Sequence, residues 1–493
     1  MIQLKTITQF TEWGANHPKV LVFFLAAIVY FPLFFSNLSL IDDHEVISFL
    51  MKYRADGLAA TIQSLAWFPD LSPGQRFRPI YYVLRTIEAI LYEDNAFFWA
   101  ASRITMAIFF SYSVLHILKT FLPVSCAVAG AIFMVWAPWT RDVFFRFGPS
   151  EGYALLFAGL LIFFLLSKSG VHWLGVSFSI AMLIGIKENY VVLMPVFFIA
   201  IYFLLRQRKY FSVFLVSALL IFSLICLTVI LQKLAASAGV DMYGKNAAGG
   251  RLLGMMQGTF MTPRGLLSLI FLSSIVSASV TDTLKLDTNT RLVLFFILIV
   301  AIFNLYFYGD APSLKSRYAI PFWPMLFISS AFVFMRYRNI YFPGKSLGGK
   351  SKLVAATVLM MLGTFNSTYA YRQTKITNQT DSAISKISKI ASAYAEIIVN
   401  VGGREDIEAL ASIAIYLDFN QVHNFRYLSV DRHAVAEMTP MMMGIIKVAD
   451  LGSQNLRYLP LGTRQSNEKT CLEIYFHEDS KPVCIERIRV PYK

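Results

Sequence analysis

Residues 20–50 read "VLVFFLAAIVYFPLFFSNLSLIDDHEVISFL". Positions 20–38 hold no charged side chain, and such a run matches the roughly 20 apolar residues that cross a hydrocarbon core about 30 Å thick. Just beyond it Asp42, Asp43, His44 and Glu45 stand side by side. The apolar run reads as a transmembrane helix, and the acids mark where it leaves the bilayer. No small-residue cleavage site follows, so the expected segment is a retained signal-anchor.

The rest of the chain reads the same way. Its 493 residues are 56% hydrophobic and 15% aromatic, with 15% charged and a mean hydropathy of +0.56. A soluble domain carries about 25% charged residues, so the expected class is a polytopic α-helical membrane protein. Apolar windows predict about eleven crossings: 19–38, 96–118, 121–137, 151–167, 172–186, 190–205, 211–231, 265–281, 292–308, 318–335 and 352–370. Arg103 is the charge that interrupts the second window.

Between the first two windows lies a long polar loop, residues 39–95. Within it Ile80, Val83, Leu84, Ile87, Ile90 and Leu91 recur at helical spacing, with Arg85 and Glu88 on the other side. That pattern predicts an amphipathic helix in the membrane interface. From residue 371 the composition becomes that of a soluble domain, so residues 1–370 and 371–493 form the two expected units. In the tail, Ile384, Ile387, Ile390, Tyr394 and Ile397 predict one amphipathic helix and "REDIEALASIAIYL" another. "CLEIYF" and "VCIERIRV" alternate as strands joined through "HEDSKP", which makes the tail a small α+β domain. Cys126 and Cys226 fall in apolar runs and read as packing residues, whereas Cys471 and Cys484 are able to pair if the tail is extracytoplasmic.

The net charge of +14 does not point to nucleic acid, because the basic residues sit in short loops and form no stripe or reader motif. Membrane lipids, through anionic headgroups and lipid phosphates, are the expected partners. The acid-free basic clusters are Arg206, Arg208 and Lys209, then Arg336, Arg338, Lys345, Lys350 and Lys352. Both fall on one side, which the positive-inside rule makes cytoplasmic. The acidic loop and the C-terminal unit then lie outside.

Six polar motifs collect on that outer side: "IDDHE" (41–45), "RFRP" (76–79), "RDVFFRFGPSEG" (141–152), "IKEN" (186–189), "YGKNAAGGR" (243–251) and "YGDAPSLKSRY" (308–318). A charge at the bilayer centre costs roughly 2.5–3.5 kcal/mol on insertion scales, so these positions imply an interfacial or watery site. Carboxylates beside arginines and lysines suit a reaction on a lipid-linked phosphate. A carboxylate accepts the proton of an attacking hydroxyl, and cations neutralise the departing phosphate.

The membrane portion resembles the GT-C superfamily of polyprenyl-phosphate-sugar glycosyltransferases. The acidic pair Asp42-Asp43 after the first helix, the long loop entered through "RFRPIYYVL", "IKEN" at a helix end and "SRYAIPFWP" opening a late helix carry the resemblance. It implies that Asp42 or its neighbour Asp43 is the catalytic base. It implies that Arg317 is the leading phosphate ligand, with Lys187, Arg78, Lys315, Glu188 and Arg76 in support. By analogy at the level of the fold, a closer comparison is with bacterial inner-membrane enzymes that modify O-antigen, lipopolysaccharide or other surface glycans from undecaprenyl-phosphate sugars.

Each feature also has a plain structural reading. Acids at a helix exit are often solvated flanks, "IKEN" fits a structural ion pair, and the arginines fit helix anchors. Arg141 and Arg146 flank an aromatic turn of the kind found in membrane belts. His44 and Glu45 are weak candidates for a divalent cation, and no cofactor is required. The expected activity is an inverting transfer of a sugar from a polyprenyl-phosphate donor to a hydroxyl of a glycan or lipid-linked acceptor on the extracytoplasmic face. The rival classes are a lipid-linked-glycan transporter or flippase, and a glycan polymerase.

Overall fold

A computed structural model describes residues 16–38, 40, 43–62, 77–165, 170–236, 273, 276, 299, 300, 320, 322–341, 349–394, 396–401, 407–422, 425–429, 471–476, 484 and 486–491. Helix α1 (Pro18–Tyr30) starts on a proline, whose fixed φ suits the first helical position, and tightens into a 3₁₀ turn over Phe31–Phe35. Two helices follow in the long loop, α2 (His44–Ile62) and α3 (Pro79–Tyr92). Helix α2 breaks at Gly57, which takes φ 77°, a value that glycine adopts without strain.

The bundle continues through α4 (Ala96–Leu118), α5 (Val124–Trp136), α6 (Pro138–Phe144), α7 (Glu151–Leu165) and α8 (Trp173–Ile186). After a 3₁₀ turn at Glu188–Leu193 come α9 (Pro195–Arg206), α10 (Tyr210–Ala236), α11 (Phe322–Tyr341) and α12 (Gly349–Ile390). Among the described residues, four segments are long and apolar enough to cross a membrane: Pro18–Phe35, Ala96–Leu118, Glu188–Arg206 and Tyr210–Gln232. Three shorter apolar helices, α5, α7 and α8, pack among them. The expected windows 265–281 and 292–308 lie almost entirely outside the described residues.

The bundle is apolar on its surface as well as in its core, and a few charged side chains are buried within it. Phe24, Ile28, Phe198, Phe211, Phe214 and Ile225 point outward. Arg85, Glu88, Arg103, Glu151 and Lys187 are buried. An apolar surface of this extent in water would aggregate, whereas hydrocarbon accepts it. Helix α3 follows the same rule: Ile87 and Leu91 are exposed while Arg85 and Glu88 face the protein. Helix α8 is buried nearly all round, and at Gly185 any Cβ would collide with Ile80 of α3. A small residue there lets the two helices touch.

The change of composition at residue 371 falls inside α12, a single helix of 42 residues and about 63 Å. Ile384 and Ile387 are buried on it as expected, but the helix stops at Ile390 and Ile397 lies in a strand. The strands β1 (Glu396–Val401), β2 (Phe425–Ser429), β3 (Cys471–Tyr475) and β4 (Glu486–Arg489) form one sheet in the order β2-β1-β3-β4. Every described pairing is parallel, with α13 (Ile407–Phe419) carrying the chain from β1 to β2. The expected α+β tail is therefore an α/β unit. Alternation in "CLEIYF" and "VCIERIRV" marks strands but carries no information about direction.

Cys471 and Cys484 form a disulfide that ties the starting ends of β3 and β4, with a Cα–Cα distance of 5.7 Å. Behind it the Glu473 carboxylate, fully buried, accepts hydrogen bonds from Asn400, Arg487 and the Cys484 backbone N–H. The core of this unit does not end at its own elements. Leu40 and Ile47 from the first loop join Ile384, Ile387, Ile413 and Leu417 in one apolar cluster. The C-terminal unit is thereby seated on the acidic end of the first loop.

Candidate functional site

Asp43 stands just before α2 and is 1% exposed. Its Oδ1 accepts the backbone N–H groups of Phe147 at 2.9 Å and Gly148 at 2.8 Å. A buried N–H without an acceptor costs about 1–3 kcal/mol, so this carboxylate fixes the turn between α6 and α7. The Tyr416 hydroxyl of α13 is pushed up, first by burial and then by the negative charges of Asp43 and Asp381. Helix α13 of the C-terminal unit packs against α2, the helix that begins beside Asp43.

The motifs "RFRP", "RDVFFRFGPSEG" and "IKEN" meet at the same turn. Arg78 presents Nε and one terminal nitrogen to the two Glu188 oxygens at 3.0 and 3.1 Å, and its other terminal nitrogen reaches Ser150 Oγ at 3.4 Å. A planar fork on a carboxylate is the strong form of such a pair. Lys187, one residue earlier, donates to Glu151 Oε1 at 2.7 Å, with both side chains buried. The Tyr81 hydroxyl contacts both the Glu45 carboxylate and the Gly148 carbonyl. Burial, then the Glu45 charge, pushes that hydroxyl up.

Beneath these pairs lies a second cluster. Glu88 Oε2 accepts from Arg85 and Arg103, each at 3.0 Å, and from the Tyr153 hydroxyl. Its Oε1 accepts from Ser102 at 2.6 Å. Burial alone would raise the Glu88 carboxyl, but Arg103 and Arg85, helped by the two hydroxyls, outweigh it and hold the group below its ordinary value. The Arg85 guanidinium sits over the rings of Tyr81, Trp99 and Tyr153. Gly152 packs closely here, since a Cβ would stand 3.0 Å from a terminal nitrogen of Arg103, which would have to shift by a few tenths of an ångström. Two guanidiniums on one carboxylate leave the cluster with one positive charge in excess.

The structure brings together Asp43, Glu45, Arg78, Lys187 and Glu188 of the residues singled out in the sequence. Asp42, Arg76, Lys315 and Arg317, and with them "YGKNAAGGR" and "YGDAPSLKSRY", lie outside the described residues. His44 opens α2, and its side chain is outside the description. Among the described residues no group of three His, Cys, Asp or Glu side chains converges as a metal site.

Three participants were not singled out as site residues. Glu151 completes the Lys187 pair, and the only cue was its place in "RFGPSEG" beside the other polar motifs. Arg141 of α6 lies over the Tyr369 ring at 3.8 Å and the Phe365 ring at 5.0 Å. Two of its nitrogens are buried without a hydrogen-bond partner, and among the described residues no carboxylate pairs with it. Asn189 of "IKEN" is 3% exposed, and neither atom of its amide group has a partner among the described residues. No signal in the sequence separates it from an ordinary polar residue at a helix end. No family model matches this chain, and no curated protein matches it.

Proposed function

We propose that this protein is an integral-membrane glycosyltransferase that moves a sugar from a polyprenyl-phosphate donor to an acceptor hydroxyl on the extracytoplasmic face, in the modification of a bacterial surface glycan. The observation that carries the reading is the gathering of carboxylates and cations from four separate motifs at one end of an apolar helix bundle, under a docked C-terminal unit. Such an end meets the headgroup layer, where a lipid phosphate sits and a polar acceptor has access. The Cys471–Cys484 disulfide supports an oxidising compartment for that end.

The step is a direct displacement. The acceptor oxygen bonds to the anomeric carbon while the bond from that carbon to the phosphate oxygen breaks, and the electron pair leaves with the phosphate. Asp42 takes the acceptor proton. Asp43 serves as its support, because Oδ1 is already committed to two N–H groups, which stabilises the charged form and makes a poor base. Arg317 and Lys187 receive the phosphate, with Arg78, Arg76, Lys315 and Glu188 around them. Arg141 joins this set, since its charge is met only by aromatic rings among the described residues. The full set of about eleven crossings, with the C-terminal unit outside, belongs to the same reading.

The Glu88–Arg85–Arg103 cluster is the observation that favours a transporter, since buried charges inside a bundle mark ion and substrate pathways. Arg103 lies seven residues into α4, roughly 10 Å below its start and short of the midplane of a core about 30 Å thick. Its position supports a foundation under the interfacial site more than a path through the bilayer. Lipid extracts of cells lacking the protein test the choice. A transferase leaves one polyprenyl-phosphate sugar accumulating on the extracytoplasmic leaflet, whereas a flippase leaves it on the cytoplasmic leaflet. An unchanged pool of these lipids refutes both.

A further inference from the structure

Helix α12 carries a second polar surface, away from the site above. One cavity of about 630 Å³ lies between this helix and β4, lined by Tyr371, Lys375, Gln379, Ser382, Lys386 and Ile488 among others. A second, of about 510 Å³, shares Lys375 and Gln379 and adds Arg372 and Arg489. Both are open depressions on the surface, suited to a chain laid along the helix and not to an enclosed small molecule. Together they form one groove along the helix, because residues 371, 375, 379, 382 and 386 recur every three or four positions and so share a face.

The groove is basic. Among the described residues no carboxylate lies within ion-pair distance of Arg372, Lys375 or Lys386, and all three are exposed. The nearest acid on the helix, Asp381, receives a hydrogen bond from Asn37 Nδ2 at 3.0 Å. Gln379 and Ser382 supply neutral donors and acceptors between the cations, and Tyr371 offers an exposed ring at the membrane end. Cations spaced by amide and hydroxyl groups match a chain that repeats carboxylates and hydroxyls.

Depth separates that ligand from a lipid. Lys386 stands sixteen residues beyond position 370, where the apolar window of this helix ends, or about 24 Å along the axis. The headgroup layer is only about 5–8 Å thick on each side, so headgroups reach Arg372 but not Lys386. We infer that the groove between α12 and β4 binds an acidic oligosaccharide, a uronate-containing chain laid along the helix. The inference uses the membrane placement of α12 and not the transfer chemistry.

The test is fluorescence anisotropy of a labelled short oligogalacturonate with the full-length protein in detergent and no sugar donor present, so its outcome is independent of any transferase activity. Binding is expected to weaken as salt rises, and to exceed that of a neutral maltooligosaccharide by at least about tenfold. Lys375→Glu together with Lys386→Glu should lower the affinity by about tenfold or more, while Lys375→Gln with Lys386→Gln lowers it less. Both pairs are at exposed positions, and size-exclusion profiles verify their folding. Equal binding of the charged and neutral probes, or unchanged binding by the Glu variant, overturns the inference. Competition by glycerophosphoglycerol, the soluble headgroup of phosphatidylglycerol, gives the other arm. If it displaces the oligogalacturonate at equal concentration of charge, the cations serve the lipid surface and the inference falls.

Discussion

Replacing Asp43 distinguishes a support from a reacting group. Asp43→Ala removes the acceptor of two buried backbone N–H groups, those of Phe147 and Gly148. At about 1–3 kcal/mol for each orphaned donor, the loss should be about 2–6 kcal/mol. Asp43→Asn keeps an oxygen in place but loses the charge. Charge-assisted bonds are worth about 1.5–3 kcal/mol against about 0.5–1.5 for neutral ones, so the asparagine should cost about 2 kcal/mol. The buried thiol of Cys226 provides the readout, since a thiol-reactive dye labels it when the bundle opens. Thermal midpoints should fall in the order wild type, Asn, Ala. An alanine variant with the wild-type midpoint would refute the clamp and return Asp43 to the list of candidate bases.

Glu88→Gln leaves Arg85 and Arg103 buried with no countercharge among the described residues and should destabilise the bundle by about 3–5 kcal/mol, read from the same dye assay. The pH dependence has a fixed sign: the Glu88 carboxyl is held below its ordinary value of 4.5, so its contribution is complete above that pH and disappears as pH falls through the lower, folded value. Acid unfolding of Glu88→Gln should be correspondingly shallower. Arg78→Lys should weaken the Glu188 pair without restoring it, because an ammonium cannot make the two parallel bonds at 3.0 and 3.1 Å, and donor affinity should drop while expression holds. Asn189→Ala removes a buried amide that no described residue satisfies, so stability should change little or rise, whereas Asn189→Leu should impair donor or acceptor use if the amide meets a substrate hydroxyl.

Among the described residues, helix positions are legible because apolar length and spacing are local properties. The loop helix over Pro79–Tyr92 was readable from its period, even to Arg85 and Glu88 sharing the side opposite the apolar residues. What that side faces was not readable, since partners such as Arg103, Ser102 and Tyr153 come from distant positions. Strand direction is not readable for the same reason: a period of two identifies "CLEIYF" as a strand but leaves its neighbour open, and the described pairing is parallel. The run of isoleucines from 384 to 397 shows how one period can cross a helix end, a turn and a strand. At the site, four of the six polar motifs meet, and the other two lie outside the described residues. The assignment of Arg78 to Glu188 and of Lys187 to Glu151 is not legible in the sequence, because adjacent residues on one turn take partners from different helices.

The transfer reaction itself is the most direct test of the account. Purified protein in nanodiscs should be given the polyprenyl-phosphate sugar that accumulates in cells lacking it, with extracted acceptor glycan, and release of polyprenyl phosphate followed. Wild type should turn over, and Asp42→Asn should be slower by a factor on the order of 10²–10⁴, the usual share of a positioned base, with a normal thermal midpoint. Near-wild-type release by both Asp42→Asn and Asp43→Asn, or no release by the wild type, would contradict the proposal that this acidic turn performs sugar transfer.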